Sequence, residues 1–129
     1  MTYQELVQKA IKARKYSYSP YSKFKVGAAL LNADNEMFTG VNIENASYGL
    51  TICAERTALL KAISEGSRKF GALAVACDTD SFKDAYPCGA CRQVMAEFLD
   101  DETDIIISIN SGEYRVHKLK ELLPHAFRL

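Results

Sequence analysis

The middle of the chain alternates helical and strand patterns, and this alternation constrains the fold more than any other feature. Apolar residues recur at helical spacing over residues 53–65, and Gly66 ends this predicted helix. Residues 73–77 form a short apolar run without alternation, which is typical of a strand buried on both faces. A second helix is predicted for residues 89–99 and a second strand for residues 104–110. Because a helix between two strands is a crossover connection, we expect these strands to be parallel, with helices on the sheet faces.

The flanking segments extend this pattern into one α/β domain. Thr2 and Glu5 have the spacing of a capping box, which predicts a first helix over residues 2–15. The remaining predicted elements are a hairpin of residues 24–31 and 36–42, a short strand at 114–117 and a helical turn at 119–123. The order αββαβαββα predicts a single three-layer αβα domain over residues 1–129, with a mixed sheet of about five strands and helices on both faces.

Composition excludes several classes of protein. Sixteen basic and sixteen acidic residues give no net charge, whereas a dedicated nucleic-acid binder usually has a basic excess. No apolar run approaches the roughly 20 residues that span a bilayer, and the first residues alternate polar and apolar, unlike a secretory signal. Four cysteines in such a chain indicate a reducing compartment. We therefore expect a cytoplasmic protein without a nucleic-acid or membrane partner.

Three cysteines stand at predicted helix starts. Cys53 opens one helix, and the pair Cys88-Gly-Ala-Cys91 opens the next after Pro87. A C-x-x-C pair alone fits a redox dithiol, half of a zinc site or two packed thiols. The third cysteine favours a metal, because helix N-termini stabilise thiolates and helices after adjacent parallel strands begin at the same sheet edge. Three thiolates suit zinc and leave a fourth position for water.

The fourth cysteine, Cys77, separates two kinds of zinc site. As a ligand it would complete a closed structural site of four thiolates. It lies instead in the apolar run at 73–77, where a free cysteine behaves as a small hydrophobe, so we favour the open site. The redox interpretation is weaker still, because it leaves Cys53 and Glu55 without a role.

Two charged residues follow Cys53. Glu55 fits a carboxylate that stabilises a helix N-terminus, but beside an open zinc site it becomes the natural base for a metal-activated water. Zinc with three thiolates carries a formal charge of about −1, which weakens a Lewis acid. Arg56, one helical turn from Cys53, can donate hydrogen bonds to the sulfurs and offset that charge, although it also fits an ordinary surface residue. Arg92, beside Cys91, is a second candidate for the same role, and it too fits an ordinary surface residue.

The motifs Cys53-Ala-Glu55-Arg and Pro87-Cys88-Gly-Ala-Cys91-Arg-Gln resemble the signature of the zinc nucleoside deaminases, and in particular of the small homotetrameric cytidine deaminases of the Bacillus kind. The resemblance covers nearly the whole chain. It includes the segments Tyr21-Ser-Lys-Phe24-Lys-Val-Gly-Ala-Ala, Asn42-Ile-Glu44-Asn-Ala-Ser-Tyr48 and Glu121-Leu-Leu-Pro-His-Ala-Phe127. It implies one Zn²⁺ per chain, bound by Cys53, Cys88 and Cys91, with Glu55 as the catalytic residue.

The resemblance also implies which residues bind the nucleoside. Asn42 and Glu44 match residues that bind ribose hydroxyls, and Phe24 matches one that packs against the pyrimidine. Four further residues match family residues that line the site: Ala46, Tyr48, Ala54 and Phe127. The family residue that matches Phe127 comes from a neighbouring subunit. The chain departs from the family at His125, where the familiar ending Leu-Pro-Gly-Ala-Phe has glycine.

The implied function is hydrolytic deamination of cytidine and 2′-deoxycytidine to uridine and 2′-deoxyuridine, with release of ammonia, in pyrimidine salvage. Two alternatives stay open. Blasticidin S deaminases are similar in the zinc motifs and the terminal Leu-Leu-Pro, but the segment 42–46 argues against them. A zinc-stabilised nucleic-acid-binding or editing module is disfavoured by the zero net charge and by the lack of a basic and aromatic stripe.

Overall fold

A mixed five-stranded sheet carries helices on both faces in the computed structural model of this chain, which describes residues 1–78, 84–109 and 112–129. The strands are β1 (Val26–Asn32), β2 (Met37–Val41), β3 (Phe70–Cys77), β4 (Asp104–Ile109) and β5 (Glu113–Lys118). The α-helices are α1 (Tyr3–Ala13), α2 (Ala54–Ser64), α3 (Gly89–Phe98) and the single turn α4 (Leu119–Leu122). Short 3₁₀ turns lie at Arg14–Tyr16 and Tyr48–Leu50. The predicted mixed sheet between helices is confirmed.

The strand order across the sheet is β2-β1-β3-β4-β5. Strands β3 and β4 are parallel, as the crossover through α3 predicted, and the other neighbouring pairs are antiparallel. The expectation that α2 and α3 follow adjacent parallel strands is wrong, because β1 lies between β2 and β3. Both β2 and β3 run antiparallel to β1 and therefore point the same way. The helices that follow them still begin at the same edge of the sheet.

Alternate residues of the central strands point to opposite faces and divide the core into two layers. One face packs on α1, through the buried residues Leu6, Val7, Ala10, Ala29, Leu31, Ala74 and Ile106. The other face packs on α2 and α3, through Leu30, Ala58, Leu59, Leu73, Val75, Met95, Ile105 and Ile107. The layer with α2 and α3 is the one that carries the cysteines.

Local signals set the helix ends. The Thr2 hydroxyl accepts from the Glu5 amide at 3.1 Å, and the Glu5 carboxylate accepts from the Thr2 amide at 3.0 Å, which is the capping box that the spacing predicts. Gly66, with φ of 101°, takes the left-handed conformation that ends α2.

Within the described ranges, no helix combines the length and the apolar character needed to cross a bilayer.

Gly40 lets α2 lie directly on β2. A Cβ atom at this position would come within 2.3 Å of the Ala58 amide nitrogen and 2.5 Å of the Ala54 carbonyl oxygen. Both atoms belong to the backbone of α2, so they cannot turn aside as a side chain would. The missing side chain at Gly40 therefore fixes the distance between α2 and the sheet, and with it the place of Cys53 at the start of α2.

We expect Gly40→Ala to destabilise the fold by about 1–3 kcal/mol, because the added methyl group overpacks this contact. Gly71→Ala is the matched control, since its Cβ atom would meet only the Leu31 carbonyl oxygen at 3.8 Å, an ordinary contact in another strand of the same sheet. Urea unfolding of both variants measures the difference. Equal stability of the two variants would show that α2 does not need this close approach.

Candidate active site

Three cysteine sulfurs converge where α2 and α3 begin. Cys53 is the N-cap of α2, Cys88 is the N-cap of α3, and Cys91 lies in the first turn of α3. The Sγ atoms of Cys53 and Cys88 are 3.9 Å apart, and those of Cys88 and Cys91 are 3.4 Å apart. The Cys88 sulfur also accepts from the Cys91 amide at 3.4 Å. The helix N-termini, which favour negative charge, thus face a cluster of three thiols.

These sulfurs fit a zinc ion. A tetrahedral zinc with Zn–S bonds of about 2.3 Å needs sulfurs about 3.8 Å apart. All three sulfurs lie within 4.8 Å of one another, and no other such group of His, Cys, Asp or Glu occurs in the part of the chain that the structure describes. Cys77 is outside the group: it ends β3, and burial raises the pKa of its thiol. The donor set is therefore three cysteines, which leaves zinc an open position.

Arg56 supplies positive charge to the sulfurs. Its guanidinium donates to the Cys53 sulfur at 3.3 Å, and its buried Nε has no acceptor within the described residues. Hydrogen bonds from the Cys91 thiol and from Arg56 lower the pKa of Cys53. The hydrogen bond between the Cys91 thiol and Cys53 raises the pKa of Cys91. The same sulfurs raise the pKa of Arg56, which stays charged. Arg56 thus favours the thiolate form of Cys53, which is the form that binds a metal ion.

Glu55 is the buried acid of the site. Its side chain is 4% exposed and lines the same cavity as Cys53 and Cys88. Burial raises the pKa of its carboxyl group to about 7, and the nearby Cys53 contributes to the rise. A carboxyl group with this pKa can both accept and donate a proton near neutral pH, which is what general acid–base catalysis requires.

A cavity of about 320 Å³ opens onto the cysteines. Six of the residues singled out from the sequence line it: Phe24, Asn42, Cys53, Ala54, Glu55 and Cys88. Sequence reasoning missed Val26, Thr51, Val75, Asp84, Ala85 and Tyr86, and gave Cys77 only a packing role. The position of residues 84–86 just before Pro87 and Cys88 was the signal that could have found them. Residues that directly precede a zinc-binding turn lie close to the metal site.

Asn42 holds the chain around Phe24. Its Oδ1 accepts from the Val26 amide at 3.0 Å and from the Ser17 hydroxyl, and its Nδ2 donates to the Phe24 carbonyl at 2.7 Å. Asn42 is 8% exposed, so these bonds satisfy a buried amide. The structure thus gives Asn42 a positioning role beside the cavity, and one Nδ2 hydrogen has no acceptor among the described residues.

Glu44 lies in a neighbouring cavity, lined also by Tyr21, Ser22, Tyr48 and Thr51. Its carboxylate accepts from the amides of Tyr21 and Ser22, each at 3.0 Å, and from the Ser22 hydroxyl. These bonds lower the pKa of Glu44. The chain itself thus supplies the hydrogen-bond donors that a carboxylate at this position requires. Thr51 lines both cavities, so the two cavities adjoin.

The other predicted nucleoside contacts are exposed. Ala46 lies in the loop after β2, and Tyr48 and Phe127 are 76% and 70% exposed. Phe127 does not line the cavity of its own chain; its carbonyl accepts from Gln93 at 3.0 Å, so its backbone is fixed while its ring faces outward. His125 has φ of 54°, the left-handed conformation that glycine adopts without strain. His125 thus holds a left-handed turn just before Phe127.

Arg92 supports the loop before α3 and does not bind a sulfur. Its guanidinium donates to the Pro87 carbonyl at 2.8 Å and to the Leu122 carbonyl at 2.7 Å. Arg92 thus ties the turn that carries Cys88 to helix α4.

Comparison with known proteins agrees with this geometry. A family model described as the cytidine and deoxycytidylate deaminase zinc-binding region matches residues 1–107. A cytidine deaminase of Halalkalibacterium halodurans is 53% identical over 127 residues, which is 98% of this chain and 95% of that protein. The crystal structure of a cytidine deaminase from Burkholderia pseudomallei superposes with a TM-score of 0.93 at 46% identity, covering 98% of this chain and all of that one. The crystal structure of a cytidine deaminase from Mycobacterium tuberculosis superposes with a TM-score of 0.86 at 40% identity, covering 100% of this chain and 99% of that one.

We expect about one zinc per chain, and the loss of zinc in Cys53→Ala, Cys88→Ala and Cys91→Ala, because each removes one of three thiolates. Metal analysis after gel filtration measures the content. Cys77→Ala is the matched control and should keep its zinc, since Cys77 lies outside the cluster. An empty Cys77→Ala protein would replace the open site by a closed site of four cysteines.

Proposed function

Because the chain belongs to the family of cytidine and deoxycytidylate deaminases, we propose that it hydrolyses cytidine and 2′-deoxycytidine to uridine and 2′-deoxyuridine and releases ammonia. The observation that carries this function is the cluster of three cysteine sulfurs beside a cavity that Cys53, Cys88 and the buried Glu55 line. We assign the 129 residues to one catalytic domain, its reaction to pyrimidine salvage and its location to the cytoplasm, where thiols stay reduced. The matching relatives are cytidine deaminases, which disfavours the blasticidin S and nucleic-acid alternatives.

The chemistry requires a metal and a proton carrier. Zinc held by Cys53, Cys88 and Cys91 would lower the pKa of the attacking water. Glu55 accepts the proton of that water, delivers a proton to N3 of the pyrimidine and then helps the amine to leave. Its pKa of about 7 suits both directions of transfer. Arg56, bonded to the Cys53 sulfur, offsets the negative charge of the thiolates.

Substrate recognition uses both cavities. Phe24 packs against the pyrimidine in the cavity that Glu55 lines, and Ala54 contributes to the same wall. Asn42 offers its second Nδ2 hydrogen to a ribose hydroxyl while its other bonds keep the Phe24 backbone in place. Glu44 and Tyr48 bind the ribose end from the neighbouring cavity, with Ala46 in the loop between them. Ribose hydroxyls add to the bonds that Glu44 already receives from its own chain.

The active enzyme is a homotetramer with shared sites. A 129-residue chain leaves its cavity at a sheet edge, with few residues of its own to cover it. The Phe127 ring is 70% exposed on a backbone fixed by Gln93, which suits a side chain that enters the cavity of a neighbouring subunit. There it would exclude water and stack on the pyrimidine.

A mixing experiment tests the chemistry and the shared site together. Wild-type protein should lower the absorbance of cytidine near 280 nm. Glu55→Gln chains should bind zinc and lose turnover by several orders of magnitude, since an amide cannot transfer the proton. Chains that lack residues 124–129 should keep zinc but show a strongly raised KM. Refolding equal amounts of the two impaired chains together should restore up to about a quarter of wild-type activity at low cytidine concentration, because random mixing gives that share of sites an intact Glu55 and a neighbour's Phe127.

Each control separates one claim. Wild-type protein with full zinc and no cytidine turnover would contradict the deaminase function. A metal-loaded Glu55→Gln protein with substantial activity would remove Glu55 from the mechanism. Mixed oligomers, demonstrated by two different affinity tags, that recover no activity would contradict the shared site, as would a monomer by light scattering.

A further inference from the structure

Tyr86 forms one wall of the cavity and is held from outside by His117. Tyr86 lines the cavity together with Cys88, two residues further along the chain, and is 38% exposed. Its hydroxyl lies 3.0 Å from Nε2 of His117, within hydrogen-bond distance. The two rings also pack, with centroids 5.4 Å apart and planes tilted by 56°. One hydrogen bond and one ring contact thus restrict the Tyr86 side chain.

The pairing register of strand β5 places His117 on the face of the sheet where it can contact Tyr86. His117 pairs with Ile105 and Arg115 pairs with Ile107 across the antiparallel β4 and β5 strands. Paired residues point to the same face, and both isoleucines belong to the core layer of α2 and α3. Two successive residues of one face of β5 therefore point to the side of the sheet where the cavity opens.

The segment that precedes Cys88 is anchored by both of these residues. Asp84 forms a β-bridge with Ile109 and an ion pair with Arg115 at 3.3 Å. The Tyr86 hydroxyl and the Asp84 carboxylate raise the pKa of Arg115. These contacts place the Tyr86 ring relative to β4 and β5 and are independent of the cysteine cluster.

The place of Tyr86 in the cavity suggests what it does. Cys53, Cys88 and Glu55 mark the end of the cavity where the pyrimidine carbon reacts, and that carbon carries the amino group. Tyr86 lines the same cavity and is two residues from Cys88 in the chain. A wall held there limits the space for substituents on the leaving amine. A side chain at that wall with freedom to rotate would give way to a larger amine, whereas one tied to His117 cannot.

We propose that Tyr86 is a specificity-determining residue for the leaving amine, and that His117 is the positioning residue that fixes it. The proposal rests on the deaminase function given above. With N4-methylcytidine as substrate, water adds its oxygen to the ring carbon, the bond from that carbon to the exocyclic nitrogen breaks, and the nitrogen takes up a proton. The products are uridine and methylamine, in place of uridine and ammonia. The Tyr86 wall disfavours this substrate.

The test measures the ratio of kcat/KM for N4-methylcytidine to kcat/KM for cytidine. Tyr86→Ala should raise this ratio by about 10- to 100-fold, because the space for one methyl group in an apolar wall is worth that much. His117→Ala should raise it by about 2- to 10-fold, because it removes one hydrogen bond and leaves the ring in place. Once Tyr86 is replaced by alanine, the second change, His117→Ala, should have no further effect on the ratio.

Val116→Ala is the matched control. Val116 neighbours His117 in β5, is 43% exposed, and pairs with Ile106, which belongs to the core layer of α1 on the opposite face. Its ratio should equal that of wild type. Zinc content and thermal unfolding of every variant identify any loss of structure. Binding of N4-methylcytidine to the inactive Glu55→Gln protein, compared with its binding to the double variant Glu55→Gln and Tyr86→Ala, gives a measure that does not depend on turnover.

An unchanged ratio in zinc-loaded Tyr86→Ala protein that still deaminates cytidine would overturn the proposal and leave the deaminase function intact. If Tyr86→Ala fails to fold, an unchanged ratio in His117→Ala overturns the proposed positioning role. A wild-type protein that binds zinc but deaminates neither substrate would instead contradict the function itself.

Discussion

The site depends on one constraint, the meeting of two helix N-termini at the same edge of the sheet. Their unpaired amides and dipoles favour the negative charge that three clustered thiolates carry. The contact of α2 with Gly40 sets the position of Cys53, and the bonds from Arg92 to Pro87 and Leu122 support the turn that carries Cys88. The sulfurs therefore meet because two helices are held in place by contacts that do not involve the sulfurs themselves.

Charge and burial around this meeting point act together. Arg56 balances the cluster from one side through its bond to the Cys53 sulfur. Glu55, in the same turn of α2, is buried, and its raised pKa of about 7 follows from that burial. One helical turn thus carries the proposed zinc ligand Cys53, the proposed proton carrier Glu55 and the cation Arg56. The compact order Cys53-Ala-Glu55-Arg56 is effective because the first turn of a helix points all three at the sheet edge.

Much of the fold was predictable from local rules. The capping box at Thr2, the stop at Gly66 and the apolar run that became β3 each depend on a few neighbouring residues. The position of β1 between β2 and β3 was not predictable, because strand order depends on pairing between distant segments. The cysteine cluster agreed with expectation, whereas the burial of Glu55 was not predicted, because it depends on how α2 packs on the sheet. The bonds of Glu44 with Tyr21 and Ser22, like the support of Tyr86 by His117, required coordinates, since only folding brings these residues together.

Zinc K-edge X-ray absorption of the purified, metal-loaded protein tests the central claim most directly. The account predicts three sulfur neighbours at about 2.3 Å and one lighter neighbour at about 2.0 Å, because three cysteines bind the ion and one position stays open for chemistry. The Cys77→Ala protein should give the same spectrum. Four sulfur neighbours, or a spectrum that changes with Cys77→Ala, would show a closed structural site and contradict the account.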